Sequence, residues 1–142
     1  MECWETGTIS VAISSPTPST SRFWDSTLLV LPEGASFNYW LRRPSPSRYC
    51  LFLPAEFAAL GGERVFLEDI RARPPDFVAL VDRPHAEFGV GPFGVDPANG
   101  RLLMKWVGEN YQRVRRIGAE PFRGRGFGIV ILERRSRSPV VQ

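Results

Sequence analysis

The clearest apolar pattern in the chain is the unbroken run Phe77–Val81, which lies between Pro75-Asp76 and Asp82-Arg83-Pro84. An apolar run of this length, bounded by turn residues, is typical of a central strand that is buried on both faces. Two further apolar runs, 27–31 and 48–53, each end at a proline and predict two more strands.

Between these strands the apolar residues follow helical spacing. Positions i, i+3 and i+4 predict a short helix over 33–41 and a clearer amphipathic helix over 63–73. A third helix is predicted from Asp96-Pro97 to about Tyr111, because Asp is a favoured N-cap and Pro a favoured first helical residue.

Two predicted strands near the C-terminus, 113–119 and the apolar run 127–132, flank the turn sequence Gly124-Arg125-Gly126 and are expected to pair as an antiparallel hairpin. Strands that alternate with helices predict crossover connections and parallel pairing. The sequence therefore predicts a three-layer, Rossmann-like α/β domain. Its sheet is expected to be mostly parallel, with the antiparallel hairpin at its C-terminal edge.

The length of 142 residues suits one domain. Residues 1–26 differ from the rest, since 14–21 is a Ser/Thr/Pro-rich stretch, and we interpret them as an atypical, partly disordered segment or linker. Residues 27–135 are predicted to form the single α/β domain, and 136–142 a frayed tail. No apolar run approaches the ~18 residues that a transmembrane helix needs.

Charge is distributed unevenly along the chain. Residues 1–100 carry 8 Arg against 12 acidic residues, whereas 101–142 carry 9 Arg and 1 Lys against 3 acidic residues. A basic C-terminal part can bind phosphates, anionic lipids or nucleic acid. Its arginines lie near Trp106, Tyr111 and Phe122, a pattern compatible with single-stranded nucleic acid. We favour a solvated edge hairpin, whose charges also discourage edge-to-edge pairing.

The loop after the central strand carries Asp82, His85 and Glu87, and His85 is the only histidine of the chain. These three side chains could orient an imidazole as a general base, which suggests a small-molecule-binding or hydrolytic enzyme. Ser36 follows a strand but lacks the last glycine of a nucleophile elbow, so no nucleophile is marked. The alternative is an exposed loop histidine beside a Glu87 that pairs locally. We assign no catalytic residue.

No cofactor and no metal is predicted. The two cysteines form no CxxC motif, and Cys50 lies in the apolar run 48–53, where we expect an inert core thiol. The glycines of 89–94 formally fit GxGxxG, but the next helix is predicted to begin only after Asp96.

Six strings, taken together, resemble the soluble C-terminal domain of bacterial polytopic glycosyltransferases of the dolichyl-phosphate-mannose–protein mannosyltransferase-like (GT-C) kind. The resemblance extends over about 26–135 and rests on 29–39 (LVLPEGASFNY), 43–49, 75–81, 87–89, 110–118 and 127–135. In that family the catalytic acidic residues lie in a loop between membrane helices. No part of this chain matches that loop, so no catalytic residue carries over.

The resemblance implies a non-catalytic accessory domain that helps to hold a glycan acceptor or a polyprenyl-phosphate sugar donor. It implies a location at the extracytoplasmic face of the bacterial membrane; a stand-alone protein would instead be cytoplasmic. The positions that match recurrent family strings are Pro32, Glu33, Gly34, Asn38, Tyr39, Glu87 and Gly89. With Asp82 and His85, the residues Glu33, Asn38, Tyr39, Glu87 and Gly89 form the predicted binding site. If their strands are parallel neighbours, these loops open on one edge of the sheet.

Overall fold

A computed structural model describes residues 25–136, and the predictions for 1–24 and 137–142 lie outside this range. Within it the strands are β1 (Leu28–Leu31), β2 (Phe77–Val81), β3 (Tyr111–Gly118) and β4 (Gly128–Arg134). The helices are α1 (Ala35–Trp40), α2 (Pro54–Ala59), α3 (Glu63–Ala72) and α4 (Arg101–Asn110), and a short 3₁₀ helix spans Ala86–Phe88.

The four strands form one mixed sheet in the order β1-β2-β4-β3. β1 pairs with β2 in parallel, from Leu28 opposite Phe77 to Leu31 opposite Leu80. β4 pairs antiparallel with both β2 and β3. The α/β class and the C-terminal antiparallel hairpin are confirmed, but the sheet is not mostly parallel, because only one of its three strand pairs is parallel.

The predicted strand over 48–53 does not form, and this removes one parallel partner from the sheet. The segment makes a single antiparallel bridge, between Glu33 and Leu51. It is held instead by the side chain of Asp69 on α3, whose Oδ2 accepts hydrogen bonds from Ser47 Oγ and Arg48 N. Cys50, expected in the core, is exposed.

Alternating side chains of the strands divide into two apolar clusters, one on each face of the sheet. The larger cluster contains Leu29, Val78 and Leu132 and packs against side chains of α2, α3 and α4. The smaller one contains Val30 and Ala79, with Phe37 of α1 packed against it. Residues that alternate along β2 are therefore buried on both sides, as the unbroken run Phe77–Val81 predicted.

The third predicted helix begins later than expected. Asp96 does not cap a helix: its carboxylate accepts hydrogen bonds from the backbone N–H groups of Gly91 and Ala98 and closes a turn. α4 starts only at Arg101, after Gly100. No helix of the described part of the chain is long and apolar enough to cross a membrane.

Loops and helices attach to the sheet at the two opposite ends of its parallel strands. We call the edge where β1 and β2 end, after Leu31 and Val81, the carboxyl edge, and the edge where they begin, at Leu28 and Phe77, the amino edge. The segment that connects β3 to β4 lies at the carboxyl edge, because Gly118 pairs with Gly128 there.

Candidate functional site at the carboxyl edge

The loops after β1 and β2 meet at the carboxyl edge, because these strands are parallel neighbours. Glu33 follows β1, and Arg83 and Glu87 follow β2. Arg83 Nη1 lies 2.7 Å from Glu33 Oε2, and Arg83 Nη2 lies 2.6 Å from Glu87 Oε1. Arg83 therefore joins the two loops through a pair of charge-assisted hydrogen bonds.

Arg83 was not among the predicted site residues, although the sequence contained a signal for it. Arg83 and Glu87 are four residues apart in the loop after the central strand, so their charges can meet when the loop turns. The Arg83 side chain is one-third exposed, and its Nε is buried without a hydrogen-bond partner among the described residues.

His85 lies beside this ion-pair cluster but is buried, so it is not the exposed loop histidine of the alternative interpretation. It is 2% exposed, and its Nδ1 lies 3.0 Å from Oδ1 and 2.8 Å from Nδ2 of Asn99, which is itself fully buried. The Asn99 amide nitrogen donates to the Gly91 carbonyl at 2.8 Å, which fixes the amide. No local motif in the sequence marks Asn99, because its side-chain partner His85 lies 14 residues earlier in the chain.

The environment of His85 favours its neutral form. The rings of Phe88 and Phe93 meet the imidazole edge-on, and His85 Nε2 has no hydrogen-bond partner among the described residues. Burial lowers the pKa of His85 below its usual value, partly opposed by the hydrogen bond with Asn99. The imidazole thus carries an uncommitted ring nitrogen in an apolar setting.

Asp82 has a different partner from His85 and Glu87. Its Oδ1 accepts a hydrogen bond of 2.6 Å from the backbone N–H of Phe122, which holds the β3–β4 connection against the end of β2. Within residues 25–136, no hydrogen bond joins Asp82, His85 and Glu87 to one another. The geometry of a general base oriented by these two carboxylates is therefore not present.

Gly89 ends the short 3₁₀ helix that carries Glu87. It has a φ of 69°, and its N–H donates to the Ala86 carbonyl at 3.0 Å. A positive φ favours glycine, so this position shapes the loop.

Asn38 and Tyr39 lie at the amino edge, away from the other predicted site residues, because α1 runs back along β1. The Asn38 amide nitrogen donates to the carbonyls of Leu28 and Arg43. This side chain therefore links the start of β1 to the turn after α1. Tyr39 is exposed, and an open groove of about 680 Å³ lies here, lined by Asn38, Tyr39, Trp40, Arg42, Arg43 and Pro44.

The three aromatic residues that the sequence places near the C-terminal arginines are at least partly covered, whereas Phe127, in the β3–β4 connection, is 63% exposed. Trp106 and Tyr111 are buried, and Phe122 is half-buried against the core. Among residues 25–136, no three His, Cys, Asp or Glu side chains cluster as a metal ion would require.

Comparisons with models of known protein families, with curated proteins and with solved structures found no match for this chain.

Proposed function

We propose that this chain is a non-catalytic accessory domain of, or derived from, a membrane glycosyltransferase of the GT-C kind, and that its carboxyl edge holds a glycan acceptor. The observation that carries this proposal is the Glu33–Arg83–Glu87 cluster. It unites, through Arg83, two of the strings on which the resemblance rests. The three-layer Rossmann-like architecture and the extracytoplasmic location belong to the same proposal.

The charge of the Glu33–Arg83–Glu87 cluster favours a neutral acceptor over a phosphate donor. Two carboxylates, Glu33 and Glu87, face one guanidinium, and burial disfavours the charged form of His85. The cluster thus has an excess of negative charge, which repels phosphate. Sugar hydroxyls can donate hydrogen bonds to the remaining lone pairs of the Glu33 and Glu87 carboxylates.

Binding of neutral oligosaccharides by the purified chain tests the site. The imidazole resonances can be followed by NMR during titration with a panel of neutral oligosaccharides, since the chain has a single histidine. Arg83→Gln should weaken binding at least about tenfold, because it removes the bond that positions both carboxylates. Arg48→Gln is the matched control, as Arg48 is an exposed arginine that pairs with Asp69 elsewhere.

Two outcomes would overturn the proposal. If Arg83→Gln and the wild type bound the oligosaccharide equally well, the carboxyl edge would not be its binding site. Sugar transfer by the purified chain, supplied with a polyprenyl-phosphate sugar and an acceptor, would contradict the non-catalytic role.

A further inference from the structure

Three consecutive large side chains are exposed where α1 ends, at the amino edge. Tyr39 is 81%, Trp40 70% and Leu41 55% exposed. Isolated exposed apolar residues are ordinary on protein surfaces, but a contiguous set that includes Tyr and Trp marks an interaction surface. We call residues 39–44 the amino-edge turn.

The backbone of this turn is well defined by hydrogen bonds. Arg42 N donates to the Tyr39 carbonyl at 3.2 Å, and Arg43 N donates to the Asn38 carbonyl at 2.9 Å. This pair of bonds is the Schellman pattern, in which the residue after the C-cap takes a left-handed conformation and is usually glycine. Here that residue is Arg42, with a φ of 51°.

An arginine at a position that suits glycine costs conformational energy, and the Arg42 side chain makes no compensating hydrogen bond or ion pair within residues 25–136. Arg42 is exposed, and no acidic side chain within residues 25–136 pairs with it. Residues with strained backbone of this kind cluster at functional sites. The turn thus presents a guanidinium directly beside exposed Trp40 and Leu41.

The chain enters the described domain at the same edge as the amino-edge turn. Ser26 Oγ accepts a hydrogen bond from the Arg43 guanidinium, so Asp25, where the preceding 24 residues join, lies next to the turn. β4 also ends at this edge, where Arg134 pairs with the first residue of β3.

We propose that the amino-edge turn docks onto an anionic lipid surface, with Trp40 and Leu41 in the interfacial region and Arg42 on lipid phosphates. Trp and Tyr prefer the membrane–water interface, and basic residues are attracted to anionic headgroups. The choice of a lipid surface rests on the proposed function, which puts the domain beside a membrane. The amino edge would then face the lipid and the carboxyl edge would face away from it.

Co-sedimentation with vesicles tests this docking surface. The purified chain is mixed with vesicles of phosphatidylcholine alone or of 3:7 phosphatidylglycerol:phosphatidylcholine, whose anionic headgroups attract basic residues. We expect binding to the anionic vesicles that Trp40→Ala weakens at least about tenfold. Phe127→Ala is the matched control, since Phe127 is a similarly exposed aromatic residue, at 63%, in the β3–β4 connection.

Arg42→Gly separates a docking role from a folding role. Glycine is favoured at the left-handed position, so this variant should melt at or above the temperature of the wild type. Its affinity for anionic vesicles should nevertheless fall about fivefold, from the loss of one basic contact. An unchanged affinity would show that Arg42 does not contact the lipid.

Other results would overturn the proposal. Equal losses in Trp40→Ala and Phe127→Ala, or absence of vesicle binding in the wild type, would contradict it. So would self-association of the wild type that Trp40→Ala abolishes, which would assign the turn to a second copy of the chain. Binding to single-stranded DNA or RNA that depends on Trp40 would assign it to nucleic acid.

The lipid-docking surface and the acceptor site can be tested independently of each other. These vesicles contain no sugar, and Arg83→Gln, at the opposite edge, should bind them as the wild type does. Loss of oligosaccharide binding with intact vesicle binding would reject the acceptor site alone, and the reverse would reject the lipid-docking surface alone.

Discussion

Glu63 lies on α3, but its buried carboxylate caps the N-terminus of α4. It is the first residue of α3, and its Oε1 accepts a hydrogen bond of 2.8 Å from the backbone N–H of Leu103, in the first turn of α4. α4 has no side-chain cap of its own, because its N-cap is Gly100. Glu63 therefore satisfies a donor that the helix would otherwise leave unpaired.

Truncation of this cap should destabilise the fold. We expect Glu63→Ala to lower the free energy of unfolding by about 1–3 kcal/mol, because a buried N–H loses its acceptor. Glu63→Gln keeps an acceptor oxygen and should cost less. Chemical denaturation measures both variants, and equal losses would contradict the cap.

The same residue should make stability depend on pH. Burial raises the pKa of Glu63, although backbone N–H groups of Leu103 and Leu102 partly oppose this. Its contribution is therefore complete below the unfolded pKa of about 4.3 and is lost as pH rises through the folded value. Between pH 4 and pH 7 the wild type should lose stability relative to Glu63→Gln. Glu68→Gln, exposed on the same helix, is the control.

His85 should give the opposite dependence. Its pKa is lowered by burial, so its contribution to stability is present above the unfolded value of about 6.5 and is lost as pH falls through the folded value. His85→Gln should remove this part of the acid sensitivity. NMR titration of the single imidazole should give a pKa below 6.5, and a value at or above 6.5 would contradict the buried neutral state.

At the element scale, two glycines of one helix have contrasting surroundings. Gly100 precedes α4 with a φ of 76°, and a Cβ there would lie 2.2 Å from the buried ring of Phe93. Gly108 lies within α4, and a Cβ there would meet nothing within 4 Å. The first glycine is required by backbone conformation and packing, whereas the second is a site of low helix propensity.

Alanine at these two positions should therefore have effects of opposite sign. Gly100→Ala should destabilise the protein by about 2–4 kcal/mol, because the strained backbone and the overlap with Phe93 add. Gly108→Ala should stabilise it by about 0.5–1 kcal/mol. Thermal unfolding of the two variants beside the wild type measures the contrast, and losses of equal size would refute it.

The elements that sequence predicts well here are those with a local cause. The run Phe77–Val81 and the Gly-containing hairpin follow from hydrophobicity and turn residues. The segment 48–53 has the same local pattern as a strand, but Asp69 on α3 binds its backbone and Ser47 side chain instead. The start of α4 was misplaced because its cap, Glu63, is 40 residues away from Leu103.

At the scale of the whole molecule, the two inner strands are β2 and β4. Each is paired on both sides, whereas β3 pairs only with β4 and its residues from Gln112 to Gly118 are exposed. The last strand in sequence thus lies inside the sheet. Periodicity cannot reveal this insertion, because β4 alternates in the same way at an inner or an outer position.

Amide hydrogen exchange should follow this order. We expect slow exchange in β2 and β4 and faster exchange in β3, since an edge strand opens without breaking the inner pairs. Exchange measured by mass spectrometry or NMR tests this, with β3 and β4 compared within one sample. Protection of β3 equal to that of β4 would indicate a covered edge.

The candidate site was predictable as far as topology determines it. Parallel pairing of β1 and β2 brings Glu33 and Glu87 together, but that they meet through Arg83 depends on loop geometry. Asn38 lies at the amino edge because α1 runs back along β1. The number of residues between β1 and Asn38 does not predict this reversal. His85 was recognisable as unusual, but its burial depends on Asn99 and two phenylalanine rings.

The length of β2 also sets a distance. Five residues at about 3.3 Å each hold the two edges of the sheet about 16 Å apart. If lipid lies against the amino edge, an acceptor held by Glu33 and Glu87 stands roughly that far above the headgroups. A compact sugar bound there would not reach the bilayer. The length of β2 would therefore favour glycan acceptors that are extended chains.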